Sequence, residues 1–166
     1  MAGSQFSERP VALFDRVPER LVLMGFRGWM AGYGSGDLRH WEEVWNLHAG
    51  SLGVPAARAL VERLATFVSM VRDHAQCPVR CFPGACPQIC RDECFVLAML
   101  SASQNADVDC LAYAMRQLID PDGHEAAIHP VVAYAEAMTE QNLKLMRVPR
   151  TVVQDIAERP RRSCLH

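Results

Sequence analysis

The chain has 166 residues, of which half are apolar and 22% are charged, and its formal net charge is −2. That length suits one ordinary domain with a core of its own, and the composition is that of a globular chain rather than a disordered one. So small a charge supplies no broad field for nucleic acid or an anionic membrane, and a role on either is not expected.

The segment from Met1 to Arg20 lacks the unbroken apolar stretch of a signal peptide. No window reaches the roughly 18 apolar residues that a membrane span requires. The ending Ser163-Cys164-Leu165-His166 is not a prenylation box, since its cysteine is third from the end. These features predict a cytoplasmic protein. In a reducing compartment, its seven cysteines are expected to serve as metal ligands, reactive thiols or core residues rather than as a disulfide framework.

Apolar residues recur with helical period, and strand signals are nearly absent. Residues 1–17 read as an irregular lead-in, with Val11, Leu13 and Phe14 able to dock on the body. Pro18 suits the first helical position, and Leu21, Met24 and Trp29 follow at helical spacings. Gly32-Tyr33-Gly34-Ser35-Gly36 should stop that helix, and Ser35 or Asp37 can cap the next, which carries Leu38, Trp41, Trp45 and Leu52. Gly53-Val54-Pro55 restarts the chain into a regular helix striped by Leu60, Leu64, Phe67, Val68 and Val71 and failing near His74.

From Gln76 to Ala85 prolines and glycine predict a turn-rich loop. Pro87 is expected to open a helix whose later half, with Phe95, Val96, Leu97, Met99 and Leu100, is apolar nearly all round and belongs at the centre of the core. Asp107 should cap a short helix through Cys110, Leu111, Met115 and Leu118, ended by Asp120-Pro121-Asp122-Gly123. Pro130 is expected to begin a helix running to about Arg147, with Val131, Tyr134, Met138 and Leu145 inward. Thr151–Glu158 forms a weaker last segment, and Arg159, Arg161 and Arg162 a small solvated basic tail. The expected fold is an all-α, single-domain bundle of five to six helices, with a Cys-rich loop leading into a central core helix.

Five thiols stand between Cys77 and Cys94: Cys77, Cys81, Cys86, Cys90 and Cys94, separated by three, four, three and three residues. Helix positions four apart have β-carbons about 6 Å apart, so two sulfurs can meet on one ion. Positions eight apart are separated by about 12 Å of rise, which bonds of about 2.3 Å cannot bridge. Cys86, Cys90 and Cys94 therefore cannot share one ion on an intact helix. With Pro87 at the first helical position, Cys86 would stand at the helix cap, where free N–H groups stabilise a thiolate. Cys77 and Cys81 can fold back through Phe82-Pro83-Gly84. The preferred metal ligands are Cys77, Cys81, Cys86 and Cys90, with Cys94 or His74 as substitutes.

Four thiolates suit zinc or an iron–sulfur cluster, and the spacing follows neither the paired CxxC of zinc ribbons nor a ferredoxin pattern. Three other readings compete: a redox-active pair such as Cys81 with Cys86, copper(I) on a thiol stripe along the helix, and reduced cysteines used as small core residues. Asp92 and Glu93 read as exposed helix residues or as acceptors behind a metal site. His40, His48, His124 and His129 read as surface or hydrogen-bonded residues. Glu136 and Glu140 lack the Glu-x-x-His partner of a di-iron site, and Trp29, Trp41 and Trp45 read as packing. No set of acid, base and nucleophile can be assembled. The function expected is a non-enzymatic cytoplasmic metal-binding protein, regulatory or accessory, acting on a protein partner. A thiol-redox protein using Cys86 and a metal-free helical interaction module are the alternatives.

Overall fold

The computed structural model describes residues 13–84 and 86–160. Among them seven α-helices follow one another: α1 (Val17–Ser35), α2 (Arg39–Leu52), α3 (Val54–His74), α4 (Arg91–Gln104), α5 (Val108–Leu118), α6 (His124–Glu140) and α7 (Arg150–Glu158). Two short 3-10 turns, Leu13–Asp15 and Pro121–Gly123, precede α1 and α6. The described residues contain no strand, only one antiparallel bridge between Ala75 and Ile119. The expected all-helical fold is thus observed. The count exceeds five or six because the last segment is a full helix whose Val153 is buried.

The core follows the apolar pattern closely. Leu60, Leu64, Phe67, Val68 and Val71 line the buried stripe of α3, and Phe95, Val96, Leu97, Met99 and Leu100 bury α4 on every side. Helix α4 packs against α5, α6, α7 and α1, while α3 packs against α6, α2 and α1. Leu13 and Phe14 dock on this core as expected, and Val11 lies outside the described residues. No helix among the described residues is long and apolar enough to cross a membrane.

Helices α1 and α2 meet along a glycine seam. A β-carbon at Gly28 would run into the Val44 side chain, and one at Gly32 into the Trp41 indole. Gly32 therefore sits inside the helix as a packing residue, and the stop falls at Gly36, whose φ of 70° and N–H bond to the Gly32 carbonyl close the last turn. Trp41 then joins Trp29 and Tyr33 in a small aromatic cluster, the two indoles 5.1 Å apart, so these aromatics serve packing.

Helix α6 departs from its expected bounds at both ends. It begins at His124, six residues before Pro130, which lies inside it. A proline there removes the bond to the carbonyl four residues back, but that residue, Ala126, is exposed and water can replace the donor. The helix ends at Glu140 and not near Arg147, because side chains of α4 and α1 capture the backbone that follows. Gln104 donates to the Leu143 carbonyl at 2.8 Å and accepts from the Leu145 N–H at 3.0 Å, Ser101 donates to the Met146 carbonyl at 2.8 Å, and Glu19 accepts from the Met146 N–H at 2.6 Å. Residues 143–148 thus form a non-helical strap across the bundle, with Leu145 still buried.

Candidate functional site

The segment between α3 and α4 is organised by a charge pair that spacing does not reveal. Arg27 projects from α1 and is 2% exposed, and Glu93 in the first turn of α4 is fully buried. The guanidinium has five N–H donors, and five bonds are present. Nε donates to Glu93 Oε1 at 2.5 Å and Nη2 to Glu93 Oε2 at 3.1 Å. Nη1 donates to the carbonyls of Gly84 and Cys86, both at 2.8 Å, and Nη2 also to that of Gln88 at 2.6 Å. One side chain of α1 therefore holds three successive points of the cysteine segment.

Glu93 completes the latch from the other side. Its carboxylate also accepts from the Cys90 N–H at 2.9 Å and the Phe82 N–H at 3.3 Å. Cys90 in turn caps α4: its thiol sulfur accepts from the Glu93 N–H in a reciprocal capping box, with sulfur in the place a serine hydroxyl usually takes. The neighbouring Asp92 accepts from the Arg80 N–H at 2.8 Å. Asp92 and Glu93 are thus not an exposed helix face; they bind the loop to the helix start.

This network moves the start of the helix. A helix opening at Pro87 would pair the Cys90 N–H with the Cys86 carbonyl, but Glu93 takes that donor and Arg27 takes that acceptor. The first intrahelical bond runs instead from the Cys94 N–H to the Cys90 carbonyl at 3.0 Å. Cys86 is consequently a loop residue, and the expectation that it caps a helix is corrected: the cap is Cys90.

The thiols separate accordingly. Cys90 Sγ donates to the Arg80 carbonyl at 3.0 Å, and from that oxygen to the Cys81 Cα is only one peptide unit, so sulfur and Cα lie within roughly 6 Å of each other. Cys81 and Cys90 both face a cleft of about 750 Å³ between α1, α2 and the loop, together with Met24, Met30, His40 and Glu43. Burial, reinforced by Glu93, pushes the Cys81 thiol up to about 11, against a smaller opposing pull from Arg27. Burial likewise pushes Cys90 up to about 12. Both are therefore neutral thiols at pH 7.

The other candidates lie elsewhere. Cys77 is exposed. Cys86 is half-buried in the loop, its N–H on the Pro83 carbonyl at 3.2 Å, and does not line the cleft. Cys94 stands one turn along α4 and feels Arg159 near the end of α7, and burial raises it to about 11. His74, the other possible substitute ligand, packs on Gly123, where a β-carbon would meet its ring at 2.9 Å. Of the preferred ligands, then, Cys81 and Cys90 are the two brought into one cleft. Among the described residues no three of histidine, cysteine, aspartate and glutamate gather where they could hold a metal ion.

The sequence marks Glu93 as an acceptor or an exposed helix residue, but neither Arg27 nor its pairing with Glu93 is visible there. Cys90-x-x-Glu93 was the available signal for the cap, since only the hydroxyl of a normal capping box is replaced. Nothing local marks Arg27, whose partner is 66 residues away. Comparison of the chain with protein-family models, with curated proteins and with solved structures finds no match.

Proposed function

We propose that this chain is a non-enzymatic metal-binding protein, regulatory or accessory in role, with Cys81 and Cys90 as the core of its site. The observation that carries the reading is the placement of these two thiols in one cleft, beside the latch that fixes the start of a core helix. Ligation at Cys90 would release its hydrogen bond to the Arg80 carbonyl and draw on the cap of α4. Occupancy would thereby alter the exposed loop residues Gln76, Cys77, Pro78 and Arg80, a surface available to a protein partner.

The physical chemistry favours binding over catalysis. A thiol titrating near 11 or 12 contributes almost no thiolate at neutral pH, and thiolate is the nucleophile in disulfide exchange. The redox alternative also rested on Cys86 at a helix start, where it does not stand. A metal ion overcomes a raised thiol pKa by displacing the proton itself.

The test is elemental analysis of anaerobically purified full-length protein after loading with zinc or copper(I). One equivalent should be retained, be lost in Cys81→Ser and Cys90→Ser, and survive in Cys86→Ser. Serine is a good helix cap, so Cys90→Ser should keep its helicity by circular dichroism. Equal metal retention in all four proteins, or none in the wild type, rejects the proposal.

A further inference from the structure

We infer that the ion suited to this cleft is copper(I), held by the Cys81 and Cys90 thiolates with a thioether of Met24 or Met30 as the third donor. The inference rests on the metal-binding reading just given and narrows it to one ion. The cleft brings two thiols and two thioethers to one space, with α1 supplying both methionines and the loop and the cap of α4 supplying the cysteines. His40 and Glu43 line the same cleft, but among the described residues neither joins both cysteines in a group of three that could hold an ion. That leaves the sulfurs as donors, and soft thiolate and thioether ligands suit copper(I).

Coordination number separates the candidates. A structural zinc site closes with four ligands drawn from cysteine, histidine and carboxylates, and among the described residues no three such groups gather. An iron–sulfur cluster calls for four thiolates in the same way. Copper(I) is satisfied by two or three sulfurs. Methionine is a ligand for copper(I) and a poor one for zinc, so the thioethers count toward one ion only.

The surroundings fit a monovalent cation. Each thiol releases its proton to solvent as its sulfur bonds to the ion, and copper remains in the +1 state, so no electron acceptor is required. Two thiolates and one copper(I) carry a net charge of −1. Arg80 lines the cleft, and the Arg27 guanidinium acts on Cys81, where the carboxylate of its partner Glu93 acts more strongly in the opposite sense. Met24 and Met30 are partly exposed, which leaves the entrance open to an incoming ion.

The experiment titrates reduced full-length protein with copper(I) against bicinchoninate, and separately with zinc against a chromogenic chelator, all without oxygen. One copper(I) per chain is expected. Affinity should fall at least a hundredfold in Cys81→Ser and in Cys90→Ser, and about tenfold in the Met24→Leu, Met30→Leu double variant. X-ray absorption of the loaded protein should show a first shell of two or three sulfurs with no nitrogen or oxygen. Zinc held through Cys81 and Cys90, with copper(I) no tighter and the methionine variant unchanged, overturns the copper assignment while leaving the metal-binding reading intact. A nitrogen- or oxygen-containing copper shell overturns it as well. Neither ion bound through the two cysteines removes both.

Discussion

Replacing Arg27 with methionine should cost this fold a large part of its stability, and the structure indicates how much. The substitution preserves an unbranched apolar stem but deletes five hydrogen bonds, two of them to a carboxylate that is fully buried. Removing one partner of a buried ion pair typically costs about 3–5 kcal/mol, because the other charge is left unpaired. The carbonyls of Gly84, Cys86 and Gln88 add less, since they are only partly buried and water can replace the guanidinium there. A loss of about 4 kcal/mol is a large share of the 5–15 kcal/mol that domains usually possess. Urea unfolding followed by circular dichroism measures it. Amide exchange should show the Phe82 and Cys90 N–H groups losing protection, as both donate to Glu93. The double variant Arg27→Met, Glu93→Leu should be more stable than Arg27→Met alone, because it removes the stranded charge. A cost under about 1 kcal/mol for Arg27→Met, or unchanged protection at both amides, would refute the latch; losses of that size are ordinary for surface substitutions.

His48 is buried with Nδ1 on the Val44 carbonyl at 2.8 Å, and burial holds its pKa below the ordinary 6.5. Its neutral form is the folded form, so stability is full above pH 6.5 and declines as the pH falls below that value; melting temperature should drop more between pH 7.5 and 5.5 in the wild type than in His48→Gln, and equal slopes would count against this account. The Tyr134 hydroxyl is buried without a hydrogen-bond partner, and desolvation raises its pKa. Tyr134→Phe should therefore raise stability by about 1 kcal/mol in thermal or urea unfolding, and a clear loss would show that the hydroxyl has a stabilising role. Gly32→Ala places a methyl group against the Trp41 indole, which predicts about 1–3 kcal/mol of destabilisation and a shifted tryptophan emission; a neutral result would mean that the α1–α2 seam is looser than it stands here.

Where one short stretch of chain carries both the cause and the effect, local reading succeeds. Five apolar residues of α3 recur at helical spacing, so the stripe Leu60 to Val71 is visible in the chain and buried in the fold. Asp107 accepts from the Cys110 N–H at 3.1 Å, three residues away, and its role as a cap is equally local. Five thiols within eighteen residues likewise mark the segment that forms the cleft wall.

Tertiary contacts decided the rest, because a backbone group bonds to whichever partner three-dimensional packing brings within reach. Pro87 favours a helix start, yet Arg27 from α1 removes the Cys86 carbonyl from that helix and moves its beginning to Arg91. Helical period runs on past Glu140, yet Gln104, Ser101 and Glu19 draw residues 143–146 into a strap. Cys81 and Cys90 meet in one cleft while Cys77 and Cys86 stand outside it, since the sulfurs follow a loop path set by a charge pair whose members lie 66 residues apart. Hydrophobic periodicity is a property of neighbours along the chain and so is present in any reading of it; the choice among competing hydrogen-bond partners arises only when distant segments have packed.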